Sequence, residues 1–205
     1  MITIKEALTK KEMKEFVLFS FELYQNNPYW IPPLIAEELE TFDKTKNPAF
    51  QTAEAHFYLA YKDNKIVGKI AAIINWDEVN QLEKRKVRFG WFDVIDDIEV
   101  TKALLDKVVT LGKKHEMDHI EGPMGFSNLD KVGLLSEGFD QIGNMITWYS
   151  LPYYISHFEQ LGFSIEKEYH ESTFSFNDID PTQFRKFSGL IKERYELKVL
   201  NFCIS

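Results

Sequence analysis

His115, Glu116 and His119 stand in the order His-Glu-x-x-His. At that spacing two imidazoles on one helical face hold zinc while the carboxylate activates a bound water. The pattern works only inside a continuous helix. Here Gly112 loosens the preceding turn, Ile120-Glu121-Gly122-Pro123 already reads as a strand and a stop, and Asp118 puts a charge where such helices keep an apolar residue. The segment reads as a solvated helix end and no metal is expected; a zinc hydrolase, with Glu137 as a further ligand, is a remote alternative. His56, His157 and His170 are isolated and read as packing or surface residues. Cys203 is the single cysteine, has no base beside it and cannot form an internal disulfide, in keeping with a reducing compartment. No Gly-x-Ser-x-Gly, Walker or Gly-x-Gly-x-x-Gly sequence occurs, so serine hydrolases, P-loop enzymes and Rossmann dehydrogenases lose their usual support.

A second constellation is acidic. Asp96, Asp97 and Glu99 precede Val100, Leu104, Val108 and Leu111, an apolar stripe that predicts a helix from about Asp97 to His115. Asp96 three residues before Glu99 resembles a capping box, in which a carboxylate satisfies the helix's unpaired amides. Around this helix the other elements follow from periodicity. Ile2 to Lys5 alternates as a strand, and Met13, Phe16, Val17, Ser20, Phe21 and Tyr24 mark a helix introduced by Thr9. Asn26 to Pro33 is a rigid aromatic loop, because prolines cannot continue a helix. Ile35, Leu39 and Phe42 suggest a short helix. Residues 56–61 and 66–75 form a hairpin about Lys62-Asp63-Asn64-Lys65, and 87–95 is a third strand beyond a charged crossing segment, 77–86. Within this stretch Lys84-Arg85-Lys86-Val87-Arg88 reads as a solvated basic approach. Pro152 opens a helix that Gly162 closes, and 163–176 looks like one or two strands. The fold class is α/β (α+β), a mixed, mainly antiparallel sheet flanked by helices in the order β-α-α-β-β-β-α-β-α-β.

Phe158-Glu159-Gln160-Leu161-Gly162-Phe163, together with this order, resembles the GNAT superfamily of N-acetyltransferases, whose corresponding helix ends Tyr-Glu-Lys-Leu-Gly-Phe. Asn27-Pro28-Tyr29-Trp30-Ile31-Pro32-Pro33 and the run from Gly122-Pro123 to Gly138-Phe139-Asp140 are similar to a bacterial subgroup of unassigned substrate that carries two such domains in tandem. The resemblance implies an acyl-CoA-dependent N-acyltransferase acting on a small amine or amino acid, with acetyl-CoA or another acyl-CoA between the fourth and fifth strands. It implies cofactor contacts at Phe92, Asp93 and Val94 and at Ile98, Glu99, Val100 and Thr101, where pyrophosphate meets helix amides. The superfamily's Arg/Gln-x-x-Gly-x-Gly/Ala is replaced, with Asp96, Glu99 and Thr101 at the matching positions. Three carboxylates repel a diphosphate by about 1 kcal/mol or more each, so the usual pose is in doubt. The tyrosine that serves many members as general acid is Phe158; Tyr154 or Tyr153 would substitute, with Asp93 or Glu121 as proton acceptor. Ser127, Asn128 and Asp130, just after the fifth strand, are the implied substrate contacts. The alternative is a non-catalytic ligand-binding or inter-domain module on the same fold.

The 205 residues carry a net charge of −8, 44% apolar and 27% charged residues, which excludes disordered and repetitive classes. Nucleic acid finds no basic field. Membrane insertion finds no uncharged apolar run near the roughly 20 residues required. The start has no secretory leader pattern, and the expected location is the cytoplasm. Residues 1–176 are expected to form the acyltransferase-like domain. Asn177 to Pro181 reads as a linker, Phe184, Phe187, Ile191 and Tyr195 as a helix, and Leu197 to Phe202 as a strand. Residues 177–205 would then start a second domain; a homodimer or a repaired sheet edge are the other expectations.

Overall fold

A computed structural model describes residues 1–127, 130–144 and 147–198. Two compact units result, Met1–Ser164 and Ile165–Ser205. The first unit runs β1 (Ile2–Glu6), α1 (Lys10–Leu23), α2 (Ile35–Thr41), β2 (Ala53–Lys62), β3 (Lys65–Asn75), α3 (Trp76–Gln81), β4 (Lys86–Val94), α4 (Ile98–Lys114), β5 (His119–Glu121) and α5 (Tyr153–Gln160). Its strands form one five-stranded sheet in sequence order, antiparallel from β1 to β4 and parallel between β4 and β5.

The local causes are legible in the residues. Thr9 Oγ1 accepts from the Glu12 amide at 3.2 Å and the Glu12 carboxylate accepts from the Thr9 amide at 2.9 Å, a reciprocal cap that starts α1. Asp63 and Asn64 take φ of 51° and 63°, the left-handed pair that a two-residue hairpin demands, and so fix the β2–β3 register. α1 lays Phe16 and Val17 on one sheet face with Phe42, Phe57, Ile73 and Trp91. α4 lays Val100, Leu104 and Val108 on the other with Ile70, Ile74, Phe89 and Phe92.

One irregularity positions everything that follows. Lys69 pairs with Asp93 and Ala71 with Gly90, so β4 uses three steps where β3 uses two. Trp91 absorbs the extra residue at φ 44°. This bulge changes which side of the sheet each later residue faces. Phe89, Phe92 and Val94 therefore share the α4 side, whereas Trp91 joins the α1 side.

Several expectations are corrected. The charged segment 77–86 contains α3, started by Asn75, whose side-chain oxygen accepts from the Asp77 and Glu78 amides. Gly112 does not loosen α4: its missing Cβ, which would lie 3.0 Å from a Val87 methyl, lets the helix pack closely. The His-Glu-x-x-His run leaves the helix at its cap, His115; Glu116 has φ 56° and His119 begins β5. His115 instead meets Trp76, with ring centres 5.3 Å apart, and lies 3.6 Å from Glu54. Among the described residues there is no group of three or more His, Cys, Asp or Glu placed to hold a metal ion. The helix cap is Asp97, not Asp96. The basic run is not solvated at its centre: Lys86 and Arg88 are buried, Lys86 bonded to Glu121 and Arg88 to Glu78 at 2.6 Å.

In the second unit no strand occurs in the described residues. Residues 165–175 form neither helix nor strand, Phe176–Asp178 is a 3-10 turn, and Asp180 caps α6 (Pro181–Arg194). The strand expected from Leu197 lies, from Val199 on, outside the described residues, as does Cys203.

Candidate active site at the free edge of β4

β4 and β5 pair through only three residues each, ending at Arg88 with Glu121. Met124 then donates its amide to the Phe89 carbonyl at 2.7 Å, and the chain crosses so close to Gly90 that a Cβ there would run into the Met124 carbonyl. Beyond this crossing β4 continues to Val94 with one edge that no strand among the described residues pairs. Backbone groups so placed need other partners.

Those partners come from α5. The Val94 amide donates to the Tyr154 hydroxyl at 2.9 Å, and the Tyr153 hydroxyl donates to the Val94 carbonyl at 2.6 Å. Tyr154 is fully buried and its hydroxyl also lies 3.4 Å from Asp93 Oδ1. Asp93 gathers more donors. Ser20 Oγ donates to it at 2.7 Å, Tyr24 at 2.8 Å, and the Lys69 ammonium lies 3.3 Å away. The Lys69 side chain is 4% exposed, that of Asp93 13%, and Phe16 faces the Lys69 ammonium at 4.9 Å. A buried ion pair with three hydroxyls around it is costly to assemble and rigid once assembled.

The tyrosines hold their protons tightly. Burial, and then the neighbouring Asp93 charge, push the hydroxyls of Tyr24 and Tyr154 well above the usual phenol range. Tyr153 is raised as well, by burial first and then by Asp96 and Asp93. Each therefore stays a neutral donor at neutral pH.

At the start of α4 the chain satisfies itself in the same way. Asp97 accepts from the Glu99 amide at 3.1 Å and pairs with Lys62 at 2.9 Å; the Lys62 bond lowers the Asp97 pKa. Asp96 does not cap the helix but reaches the ring of His157 at 3.2 Å, and the other ring nitrogen of His157 meets Thr101 Oγ1 at 2.9 Å. An acyl-CoA in the usual pose would need the Val94 amide and the first amides of α4. The Val94 amide is taken by Tyr154 and the Glu99 amide by the Asp97 side chain, while the Val100 and Thr101 amides bond the Asp97 carbonyl, so the usual pose, beside three carboxylates, does not fit this arrangement.

The site residues expected from sequence are thus spread over three places. Tyr153, Tyr154, Asp93 and Val94 come together at the free edge; Phe92, behind them, packs on Tyr154 and Phe158. Ile98, Glu99, Val100 and Thr101 lie in the first turn of α4, where Val100 and Thr101 are buried. Glu121 sits apart, on the paired part of β5. Burial raises its carboxyl but Lys86 more than offsets this, leaving it below the usual range. Asp130 closes a tight turn by accepting from the Ser127 amide at 2.8 Å; Asn128 lies outside the described residues. Sequence reasoning missed Ser20, Tyr24, Lys69 and His157. Lys69 alone carried a local signal, a charge inside the apolar run from Ile66 to Ile74. Beside Tyr24, whose hydroxyl also reaches the Tyr149 carbonyl at 3.3 Å, a cleft of about 420 Å³ opens, lined by Glu22, Asn27, Tyr29, Phe139 and Tyr149 among others.

No protein-family model matches the chain. It is 34% identical over 160 residues to protein YghO of Escherichia coli, which covers 78% of this chain and 41% of that one. It is 30% identical over 140 residues to the bacterial ceramide synthase of Caulobacter vibrioides, covering 68% of this chain and 36% of the other. The chain thus spans less than half the length of the curated relatives it matches. Among solved structures, one described as a predicted acetyltransferase with acetyl-CoA, from Clostridium acetobutylicum, superposes with a TM-score of 0.51 at 13% identity, over 84% of this chain and 96% of that one. A transcriptional regulator from Bacillus halodurans gives 0.50 at 14%, over 85% and 100%.

Proposed function

We propose that this chain, which has the fold of the GNAT superfamily of N-acetyltransferases, is the first of two such domains in a longer N-acyltransferase, with acyl transfer to an amine as its reaction class. The observation that supports the reading best is the buried Lys69–Asp93–Tyr24–Tyr154 cluster on the free edge of β4. A packed domain has no structural need for an ion pair and two phenols at the one place where its sheet parts. Fold likeness alone would not carry this, since unrelated functions share folds. The name of the Caulobacter relative adds a chemical class: a ceramide is an amide of a long-chain amino alcohol, so an amine acceptor and a fatty acyl donor suit this chain as well.

Within the reading, Asp93 takes the place of the proton acceptor and Tyr154 that of the donor, with Tyr24 and Ser20 orienting the carboxylate. The cleft beside Tyr149 is the acceptor's approach. Glu121, locked to Lys86, and Ser127 and Asp130, bonded to each other, are left to hold the loop. Among the described residues no helix is long and apolar enough to cross a membrane; a cytoplasmic location is part of the proposal.

The tandem arrangement has its own support. Asp180 caps α6 as Thr9 caps α1, and at the same offset Phe184 matches Met13, Phe187 matches Phe16, Leu190 matches Phe19 and Tyr195 matches Tyr24. In α1 the last three of those positions are buried, whereas in α6 all four are exposed.

Calorimetric titration with acetyl-CoA and with a long-chain acyl-CoA tests the reading. Binding that Asp93→Asn leaves intact while amide formation on an amine falls by roughly 100-fold, the scale of general base catalysis, is the expected result. A specific observation favours a second reading, the non-catalytic module: the Val94 and Glu99 amides are already satisfied. Absence of heat at millimolar ligand would decide for it.

A further inference from the structure

On the α1 side of the sheet we propose that Glu38, held by Trp91, takes the ammonium of the acceptor, a primary amine with an oxygen on a neighbouring carbon. The inference rests on the acyl-transfer reading for the fate of the amine, not for its binding.

Trp91 is the surplus residue of the β4 bulge, and at φ 44° it holds a conformation that a bulky side chain adopts only under constraint. The bulge turns its indole to the α1 side, where the ring N–H donates to Glu38 Oε2 of α2 at 3.0 Å. Asp93, two positions further along the strand, faces the same side through Ser20 and Tyr24 of α1. The strained residue thus brings a second carboxyl to the face that carries the first.

Glu38 is a carboxyl without a counterion. Burial raises it above the usual range and Asp93 adds to the rise, while Lys69, Lys131 and the indole bond pull the other way and fall short. The Lys69 ammonium is committed to Asp93 at 3.3 Å, and that of Lys131 faces the Trp148 ring at 5.3 Å. Among the described residues no cation lies within ion-pair distance of Glu38, and Trp91 is its one side-chain donor. A desolvated carboxyl left unpaired is unfavourable for the domain alone, and a cation from outside offsets that.

The surroundings suit an ammonium. Trp91 meets Trp148 with ring centres 5.6 Å apart, and Trp148 already attracts one cation, Lys131, over its face. The Trp148 indole N–H is buried and has no acceptor among the described residues. Two neighbouring groups of opposite hydrogen-bonding sense therefore lack partners. An ammonium for Glu38 and an oxygen for Trp148 supply both, which defines the ligand class. Trp148 also precedes Tyr149, a wall of the cleft described above.

The test is titration with leucinol, a primary amine with a hydroxyl on the adjacent carbon, and with isohexyl alcohol, which lacks only the amine. The indole N–H resonances of the four tryptophans are followed in the wild type and in Glu38→Gln. Glutamine still accepts from Trp91, so the variant removes the charge and spares the bond. Leucinol is expected to shift the Trp91 and Trp148 resonances and to leave Trp76, which packs on the α4 side, unmoved. Isohexyl alcohol should shift none of them at the same concentration. Glu38→Gln should weaken leucinol roughly tenfold to hundredfold, the range of a hydrogen bond to a charged group. Equal shifts by both compounds, no shift of Trp91 by leucinol, or unchanged affinity in Glu38→Gln would each overturn the site. If Glu38→Gln does not fold, the comparison of the two compounds on the wild type decides alone. Leucinol binding that the variant weakens, with no amide formed by the wild type from leucinol and acetyl-CoA or palmitoyl-CoA, would uphold the site and sink the acyl-transfer reading. Amide formation with an unchanged KM for leucinol in Glu38→Gln would do the reverse.

Discussion

Asp93 is the residue on which the candidate chemistry and the local stability both depend. Its carboxylate answers one ammonium and three hydroxyls, so replacing it strands several buried donors at once. Asp93→Asn is expected to cost about 3 kcal/mol in urea unfolding, the low end for breaking a buried pair, because the site is not wholly dry. Adding Lys69→Met should recover part of that loss, since the pair is then removed from both sides; a strictly additive double-mutant cycle would deny the coupling. The tyrosines give a prediction with a sign. Tyr24 and Tyr154 have folded pKa values raised well above the unfolded value near 10. Their contribution is fully present below pH 10 and is lost as pH rises from there through the folded values. Tyr154→Phe should flatten the fall in unfolding free energy above pH 10 by about 1.4 kcal/mol per pH unit, one proton's worth. An unchanged slope would return Tyr154 to an ordinary environment.

At the scale of elements, the crossing of the chain over Gly90 at Met124, just after β5, sets where β4 becomes free. Gly90→Ala puts a methyl against the Met124 carbonyl, a contact neither backbone can yield easily. A loss of about 2 kcal/mol or more, read as a lower urea midpoint at constant slope, is expected. Most of these elements were legible: the reciprocal cap at Thr9 and Glu12, the Asp63-Asn64 turn and the stripe of α4 each announce themselves within a few residues. What was illegible depends on distance in sequence. Asp93 meets Ser20, Tyr24 and Tyr154 across 73, 69 and 61 positions, and no local pattern encodes such meetings. Phe163 to Phe176 reads like one or two strands, yet no strand forms there, so the local pattern misled. Asp96 was read as the cap from its spacing to Glu99, but Asp97 accepts from the Glu99 amide and Asp96 meets His157 of α5 instead.

For the whole molecule, α6 carries the exposed apolar residues that bear on the tandem proposal. Phe184 and Phe187 are 68% and 61% exposed. Replacing both by Ser should leave the unfolding free energy of this chain within about 0.5 kcal/mol, as for surface sites. In a full-length protein with a second sheet beneath that helix, the same pair should cost several kcal/mol, since each would vacate a core. Equal, small effects in both would remove the tandem proposal. The bulge at Trp91 has a consequence at this scale too. A strand is read in steps of two, and a single surplus residue acts on it as a frameshift acts on a gene. Everything downstream changes hemispheres: Phe92 and Val94 fall on the side of α4 and α5, Asp93 on the side of α1. Deleting one residue at Gly90-Trp91 would alter no composition worth noticing, yet it would deliver the carboxylate into an aromatic interior and turn Phe92 toward Lys69. The division of labour between the molecule's two halves is written in one uncounted step of its fourth strand.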